Sequence, residues 1–132
     1  MRLKRLEVVI DADKLAVDIE ETIKKIDCIS RWAYILHDKD NTCPHYHIYL
    51  NFHPVSADTV DIVKWFKLNY IDADGKEHTG EQFIYKVKGR KTDVLLYLIH
   101  GNESQKFKHQ YSPGEVVSNF NLLELLKKYC RS

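Results

Sequence analysis

Cysteine, proline and glycine are all scarce in this sequence of 132 residues, which contains three, three and five of them. The cysteines Cys28, Cys43 and Cys130 are widely spaced and form no CxxC pair. A disulfide framework or a cysteine-rich zinc site is therefore not expected. So few prolines and glycines, with no biased tract, also argue against long disordered segments. We expect a reduced, intracellular protein that folds.

Neither sign of charge dominates, and the sequence has no long apolar run. The formal net charge is +1, which does not indicate a strongly basic nucleic-acid-binding protein, although a small basic groove would give the same total. The first apolar run stops at Asp11, too short for a secretory signal. No segment approaches the roughly 20 apolar residues of a membrane span. We expect a soluble, cytoplasmic protein without a membrane partner.

The hydrophobic patterns predict a single α+β domain, residues 1–132. Alternating or β-branched runs predict about five strands, at 3–10, 30–37, 45–52, 82–89 and 114–120. Helical spacing predicts helices at 13–27, 57–68 (with Ser56 as N-cap), 92–101 (with Gly101 at the C′ position) and 121–130. Asp74-Gly75 is a turn signal. This order predicts an antiparallel sheet with helices mostly on one face.

Residues 45–52 contain two histidines with the spacing of a metal site. Successive side chains of a strand alternate between faces, so His45 and His47 project from one face, a few ångströms apart. His37 and Asp40 lie just before, and a hairpin would bring them close. Histidine with carboxylate suits Mn²⁺, Zn²⁺, Co²⁺ or Ni²⁺, and Mg²⁺ less well. The alternative is an ordinary polar turn beside a solvated strand face.

Tyr97 is a second candidate for chemistry. It shares a predicted helix face with Asp93 and His100, and a tyrosine in such polar surroundings can act as a nucleophile. Most tyrosines, however, are core or surface aromatic residues with a polar tip. The helix pattern alone does not separate these two interpretations.

Three motifs in order give the chain a family resemblance. They are HDKD at 37–40, PHYH at 44–47, which holds a histidine–hydrophobic–histidine element, and YLIH at 97–100. The sequence resembles the HUH endonuclease superfamily and, within it, the rolling-circle replication initiator (Rep) proteins of small bacterial plasmids. The resemblance covers roughly residues 3–120. It implies a ferredoxin-like or RRM-like nuclease domain.

The resemblance implies a specific reaction on DNA. Such proteins nick single-stranded DNA at a replication origin, often in a hairpin loop, and their tyrosine becomes linked to the 5′ end. Carried over, Tyr97 is the nucleophile. Its phenol, with an ordinary pKa near about 10, needs help to lose its proton; His100 or the metal could provide it.

The resemblance also implies a divalent cofactor, Mn²⁺ or Mg²⁺. Its ligands would be His37, Asp40, His45 and His47. Asp38 is the competitor for the acidic position, being one residue away and expected to point elsewhere. A divalent ion there would neutralise phosphate charge and polarise the P–O bond.

DNA contacts are expected from basic residues on both sides of Tyr97. They are Lys86, Lys88, Arg90 and Lys91 before it, and Lys106 and Lys108 after it. These positions favour phosphate contacts, although a solvated loop is the alternative. Tyr49, on the histidine face, could stack a base or be an ordinary exposed aromatic residue.

Two departures from the superfamily narrow the resemblance. Many relaxases and transposases carry a lysine three or four residues after the tyrosine, where this chain has His100 and Gly101, which favours the plasmid initiators. Tyr111 is the nearby spare tyrosine and lies outside the predicted helix, so a single catalytic tyrosine is expected.

Host replication proteins are possible partners of such a nickase. Two other functions compete with the nickase interpretation. One is a non-catalytic ferredoxin-like module that binds single-stranded nucleic acid. The other is a small metallohydrolase that uses the histidines without a covalent step and does not need Tyr97.

Overall fold

The computed structural model describes residues 6–13, 15–26, 28–39, 43–52, 59–86, 91–101 and 107–129. Within these ranges the side chains of 6, 59–61, 86, 91–94 and 128–129 are outside the description. The strands are β1 (Leu6–Ala12), β2 (Ile29–His37), β3 (His45–Phe52), β4 (Tyr70–Ile71), β5 (Glu77–His78), β6 (Ile84–Lys86) and β7 (Val117–Ser118). The α-helices are α1 (Ile19–Lys24), α2 (Thr59–Phe66), α3 (Lys91–Leu98) and α4 (Leu122–Tyr129). None of these helices is long and apolar enough to cross a membrane.

Five of the strands form one antiparallel sheet in the order β6-β1-β3-β2-β7. The histidine strand β3 is at its centre, hydrogen-bonded to β1 and β2 along its length. The predicted α+β class and the five predicted strands are confirmed. The predicted polar turn is also present, because Gly75 has a φ of +81°, but β4 and β5 on either side of it form a separate small hairpin.

Helices cover both faces of the sheet, so the expectation that they lie mostly on one face was wrong. One face packs Ile48, Leu50 and Phe52 of β3 against α1 and α2. On the other face, Tyr49 of β3 packs against apolar residues of α3 and α4, such as Leu98. The second apolar face exists because α3 and α4 each carry their own buried leucines, which need a partner surface.

Helix α1 begins later than its hydrophobic spacing predicts. Asp18 is extended, with a φ of −75° and a ψ of 128°, and its carboxylate accepts a hydrogen bond from the Glu21 amide at 3.0 Å. A capping aspartate satisfies one of the free amides of the first turn and fixes the helix start there. Leu15 and Val17 still pack on the core, but from the preceding loop. The predicted N-cap Ser56 of the next helix lies outside the described residues.

Candidate active site

Three histidines of the β2–β3 hairpin converge where the two strands end. His37 pairs directly with His45 in the antiparallel register, and His47 is two residues further on the same face. One ring nitrogen from each lies within 4.8 Å of the other two. The sequence predicted that a hairpin would bring these residues together, and the register does so.

His37 is completely buried, and its ring is fixed by the end of helix α3. Its Nε2 lies 2.7 Å from the carbonyl oxygen of Leu98. A carbonyl can only accept, so Nε2 carries the proton and the neutral ring has its lone pair on Nδ1. The Leu98 carbonyl is one of the last in α3, which lack partners within the helix. The bond therefore orients a candidate ligand and caps the helix that carries Tyr97.

His47 shows most directly that the cluster suits a cation. Its side chain is 3% exposed, its buried Nδ1 has no hydrogen-bond partner among the described residues, and its Nε2 is 4.0 Å from Asp11 Oδ1. Burial, together with His37 and His45, lowers the pKa of His47 to about 2. The ring is therefore neutral at physiological pH, the form that binds a metal ion. Imidazole ligands suit Mn²⁺ and heavier divalent ions better than Mg²⁺.

The acidic member of the predicted ligand set is not described. Asp40 lies outside the described residues, whereas its competitor Asp38 is solvent-exposed. Asp38 is not part of the three-histidine group in the described part of the chain.

Tyr97 lies beside the histidines. Its ring centroid is 5.1 Å from that of His47, and the two rings meet edge to face. The side chain is half-buried. Burial raises the pKa of the Tyr97 phenol, and the nearby Asp11 carboxylate and Tyr85 hydroxyl raise it further. The phenol is therefore protonated in the resting site.

The chain turns sharply just after Tyr97, and His100 occupies the left-handed position that the sequence assigned to Gly101. His100 has a φ of +60°. The Gly101 amide donates to the Leu96 carbonyl at 2.9 Å, and the His100 amide to the Tyr97 carbonyl at 3.2 Å. This pair of bonds is a Schellman motif in which His100 is C′ and Gly101 is C″. The prediction of Gly101 at C′ was wrong by one residue.

The turn buries His100 behind His37. The His100 side chain is 1% exposed, its ring centroid is 4.3 Å from that of His37, and its Nδ1 lies 3.0 Å from the His109 carbonyl oxygen. The sequence suggested this residue as an acid or base. In the structure it packs against a candidate metal ligand.

Asp11 is a site residue that sequence reasoning missed. It pairs with His47 across β1 and β3, and its half-buried carboxylate has a pKa raised by burial. In the sequence it was visible only as the polar end of the first strand. Its register with His47 could not be read there, because β1 and β3 are distant in sequence.

A cleft of about 680 Å³ opens in front of the cluster. It is lined by Asp11, Asp13, Lys39, Cys43, His45, His47, Tyr97, Phe107, Lys108 and His109. Phe107 is 82% exposed, and the Lys108 ammonium is 5.7 Å from the centre of its ring. The cleft therefore combines an exposed aromatic ring and a cation with the histidines and Tyr97.

The structure tests only some of the predicted DNA-binding residues. Tyr49 is fully buried, and its hydroxyl donates to Glu7 at 2.8 Å, so the prediction that it stacks a base was wrong. Its face of the sheet is covered by α3 and α4 instead of being open. The side chains of Lys86, Lys88, Arg90, Lys91 and Lys106 lie outside the described residues.

Comparison with known proteins shows the family. The family model described as "Plasmid replication protein, origin binding domain" matches residues 1–123. A protein named "Replication protein" from Onion yellows phytoplasma (strain OY-M) is 39% identical over 140 aligned positions, which cover 92% of this chain. The chain spans only 33% of that relative's length. The resemblance to Rep initiators is thereby confirmed, the HUH motifs fit it, and the chain belongs to the plasmid replication protein origin-binding domain family.

Proposed function

We propose that residues 1–132 form an origin-nicking domain that cleaves single-stranded DNA and retains its 5′ end on Tyr97. In this reaction the phenol oxygen bonds to phosphorus while the P–O3′ bond breaks. The tyrosine proton goes to a base, and the 3′ oxygen takes up a proton to become a free hydroxyl. The phosphotyrosine conserves the bond energy, so rejoining needs no ATP.

The observation that carries the proposal is the contact of Tyr97 with the histidine cluster. The rings of Tyr97 and His47 are 5.1 Å apart in a cleft that opens to solvent. A hydrolase without a covalent step has no need of a tyrosine at this place. A purely binding module has no need of three buried or half-buried histidines whose ring nitrogens converge.

Of the two divalent cations expected from the resemblance, the histidines suit Mn²⁺ better than Mg²⁺. A bound cation would neutralise the scissile phosphate and make it a better electrophile. His37 is held by burial and by its hydrogen bond to the Leu98 carbonyl, and His47 is held by burial, so little ordering is required when a ligand binds. We further propose Asp40 as the acidic ligand, from its position in the HDKD motif.

The cleft also suits a single strand better than a duplex. Phe107 offers an exposed ring on which a base can stack, and Lys108 beside it can contact a phosphate. Stacking on Phe107 replaces the role first expected of Tyr49. We propose that the DNA is the origin, presented as an unpaired loop, because the family is described by origin binding.

A denaturing gel tests the proposal. The protein is incubated with single-stranded origin DNA and Mn²⁺, and a covalent protein–DNA adduct is expected. Tyr97→Phe keeps the ring and removes only the attacking oxygen, so no adduct should form. Tyr85→Phe is the matched control, since Tyr85 is 56% exposed and close enough to affect Tyr97; it should form the adduct.

The other outcomes identify the competing functions. An adduct formed normally by Tyr97→Phe would disprove the nucleophile assignment. DNA binding without cleavage in the wild type would favour the binding module. Cleavage without an adduct would favour the hydrolase. An adduct that forms when EDTA is present throughout the reaction would contradict the metal requirement.

A further inference from the structure

We propose that Tyr111 is a positioning residue that, with Glu115, fixes residues 37–39, the segment at the end of β2 that carries the candidate metal ligand His37. This inference rests on the metal site of the proposed function. It concerns the spare tyrosine of the sequence, which lies outside the motifs. In this proposal Tyr111 positions a candidate metal ligand and does not act as a second nucleophile.

Tyr111 touches the ligand segment in two ways. Its ring is stacked on that of His37, with centroids 4.5 Å apart and planes 15° apart. Its hydroxyl accepts a hydrogen bond from the backbone amide of Lys39 at 3.0 Å. The side chain is 4% exposed. Burial and the bond to Lys39 remove the hydroxyl from the cleft in which a phosphate would have to approach a nucleophile.

Lys39 is held at its other end as well. Its ammonium lies 2.7 Å from Glu115 Oε1, and Glu115 Oε2 accepts from the Ser112 amide at 2.8 Å. The latter bond belongs to a capping box that orders the turn at 113–115. Both ends of Lys39 are thus attached to residues 111–115, more than 70 positions away in sequence.

The attachment matters because Lys39 lies two residues after the candidate ligand His37. Strand β2 ends at His37, where ladder hydrogen bonds stop directing the chain. Beyond that point the Lys39 amide donates to the Tyr111 hydroxyl, which fixes the backbone again. A fixed Lys39 therefore holds the backbone directly after His37, while the stacked ring prevents His37 from tilting. Outer partners of this kind make metal sites tight and well oriented.

Removal of the Tyr111 hydroxyl tests the inference. Tyr111→Phe keeps the stack on His37 and removes the bond to Lys39. We expect the Lys39 amide to exchange hydrogen faster in the metal-free protein, measured by NMR. We also expect the Mn²⁺ affinity to fall about tenfold by calorimetry, and adduct formation to need more Mn²⁺ but to reach the wild-type maximum rate.

The matched control is Tyr70→Phe. Its hydroxyl accepts from Gln82 at 2.8 Å and belongs to the β4–β5 hairpin, a sheet separate from the one that carries His37, His45 and His47. It should leave the Lys39 amide and the Mn²⁺ affinity unchanged. Glu115→Gln is a second variant at a surface site, and it should accelerate exchange at Lys39 in the same direction but less.

The outcomes separate this inference from the proposed function. A wild type that binds no Mn²⁺ refutes the metal site and leaves the Lys39 exchange result as an independent test of the attachment. A wild type that binds Mn²⁺ no better than Tyr111→Phe does, with equal exchange at Lys39, overturns the inference alone. Loss of maximum rate with unchanged Mn²⁺ affinity would also overturn it, because that result belongs to a catalytic residue.

Discussion

The two faces of strand β3 are both buried, but they carry chemically different side chains. On one face Ile48, Leu50 and Phe52 are all fully buried and apolar. On the other, His47 and Asn51 are 2% and 1% exposed, yet both are polar. Neighbouring residues of one strand therefore supply an apolar core on one side and, on the other, buried polar groups beside the packed ring of Tyr49.

The polar face costs stability. His47 Nδ1 and Asn51 Oδ1 are buried without a hydrogen-bond partner among the described residues, and each such group costs about 1–3 kcal/mol. The apolar face has no such cost. We infer that the histidine end of the second face is retained for what it binds, because the rest of that face, around Tyr49, is packed against α3 and α4 as core.

The largest expected effect comes from His47→Leu, which makes the functional face resemble the other one. Adduct formation should fall at least about 100-fold, because a ligand is lost and even outer partners matter by 10- to 100-fold. The free energy of unfolding in EDTA should stay equal or rise, since a buried unpaired nitrogen disappears. Gel assays and urea denaturation measure the two quantities; a strongly destabilised variant would contradict the comparison.

The adjacent substitution Ile48→Ala should do the opposite. Truncating a fully buried isoleucine leaves a cavity and should lower the free energy of unfolding by about 2–5 kcal/mol. Because Ile48 points away from the histidines, the folded fraction should bind Mn²⁺ with wild-type affinity by calorimetry. A large loss of affinity in folded protein would show that the two faces are not independent.

Two aromatic residues sharpen the comparison for DNA binding. Phe107→Ala should weaken single-stranded DNA binding by about 1–3 kcal/mol, the usual worth of a stacked base. Tyr49→Phe should leave that affinity unchanged and lower the free energy of unfolding by about 1 kcal/mol, through the lost bond to Glu7. Fluorescence anisotropy measures both affinities, and Ile71→Ala, at an exposed position on the β4–β5 hairpin, is the control. Weaker binding by Tyr49→Phe would show that the buried Tyr49–Glu7 hydrogen bond affects the DNA-binding surface.

The smallest expected effect is a pH dependence confined to the functional face. The pKa of His47 is about 2 in the folded chain and near its ordinary value when unfolded. Below about pH 6.5 the unfolded state binds a proton that the folded state does not, so the metal-free protein should lose about 1 kcal/mol of stability per pH unit. His47→Leu should show a shallower loss between about pH 7 and about pH 5 in denaturation experiments. Equal slopes would show that His47 titrates normally in the fold.

Prediction from the sequence succeeded where the chemistry was local. Alternation in residues 45–52 identified β3 and the side on which His45 and His47 lie. Prediction failed where distant segments decide whether a side chain is buried. The alternation leaves Tyr49 exposed, whereas helices α3 and α4 cover it in the structure. The prediction of Gly101 at the C′ position failed by one residue. Glycine is the usual residue at a helix end, but the hydrogen bonds assign the left-handed position to His100.

The sequence by itself determined the class of fold, the histidine strand and the expectation that a hairpin brings His37 near His45 and His47, because strands close in sequence commonly pair. Only the tertiary structure brought Asp11 opposite His47, Tyr97 against the same ring, and Tyr111 onto His37. These contacts join residues separated by tens of positions. They follow from how strands register and helices cover a sheet, and no local pattern of residues specifies them.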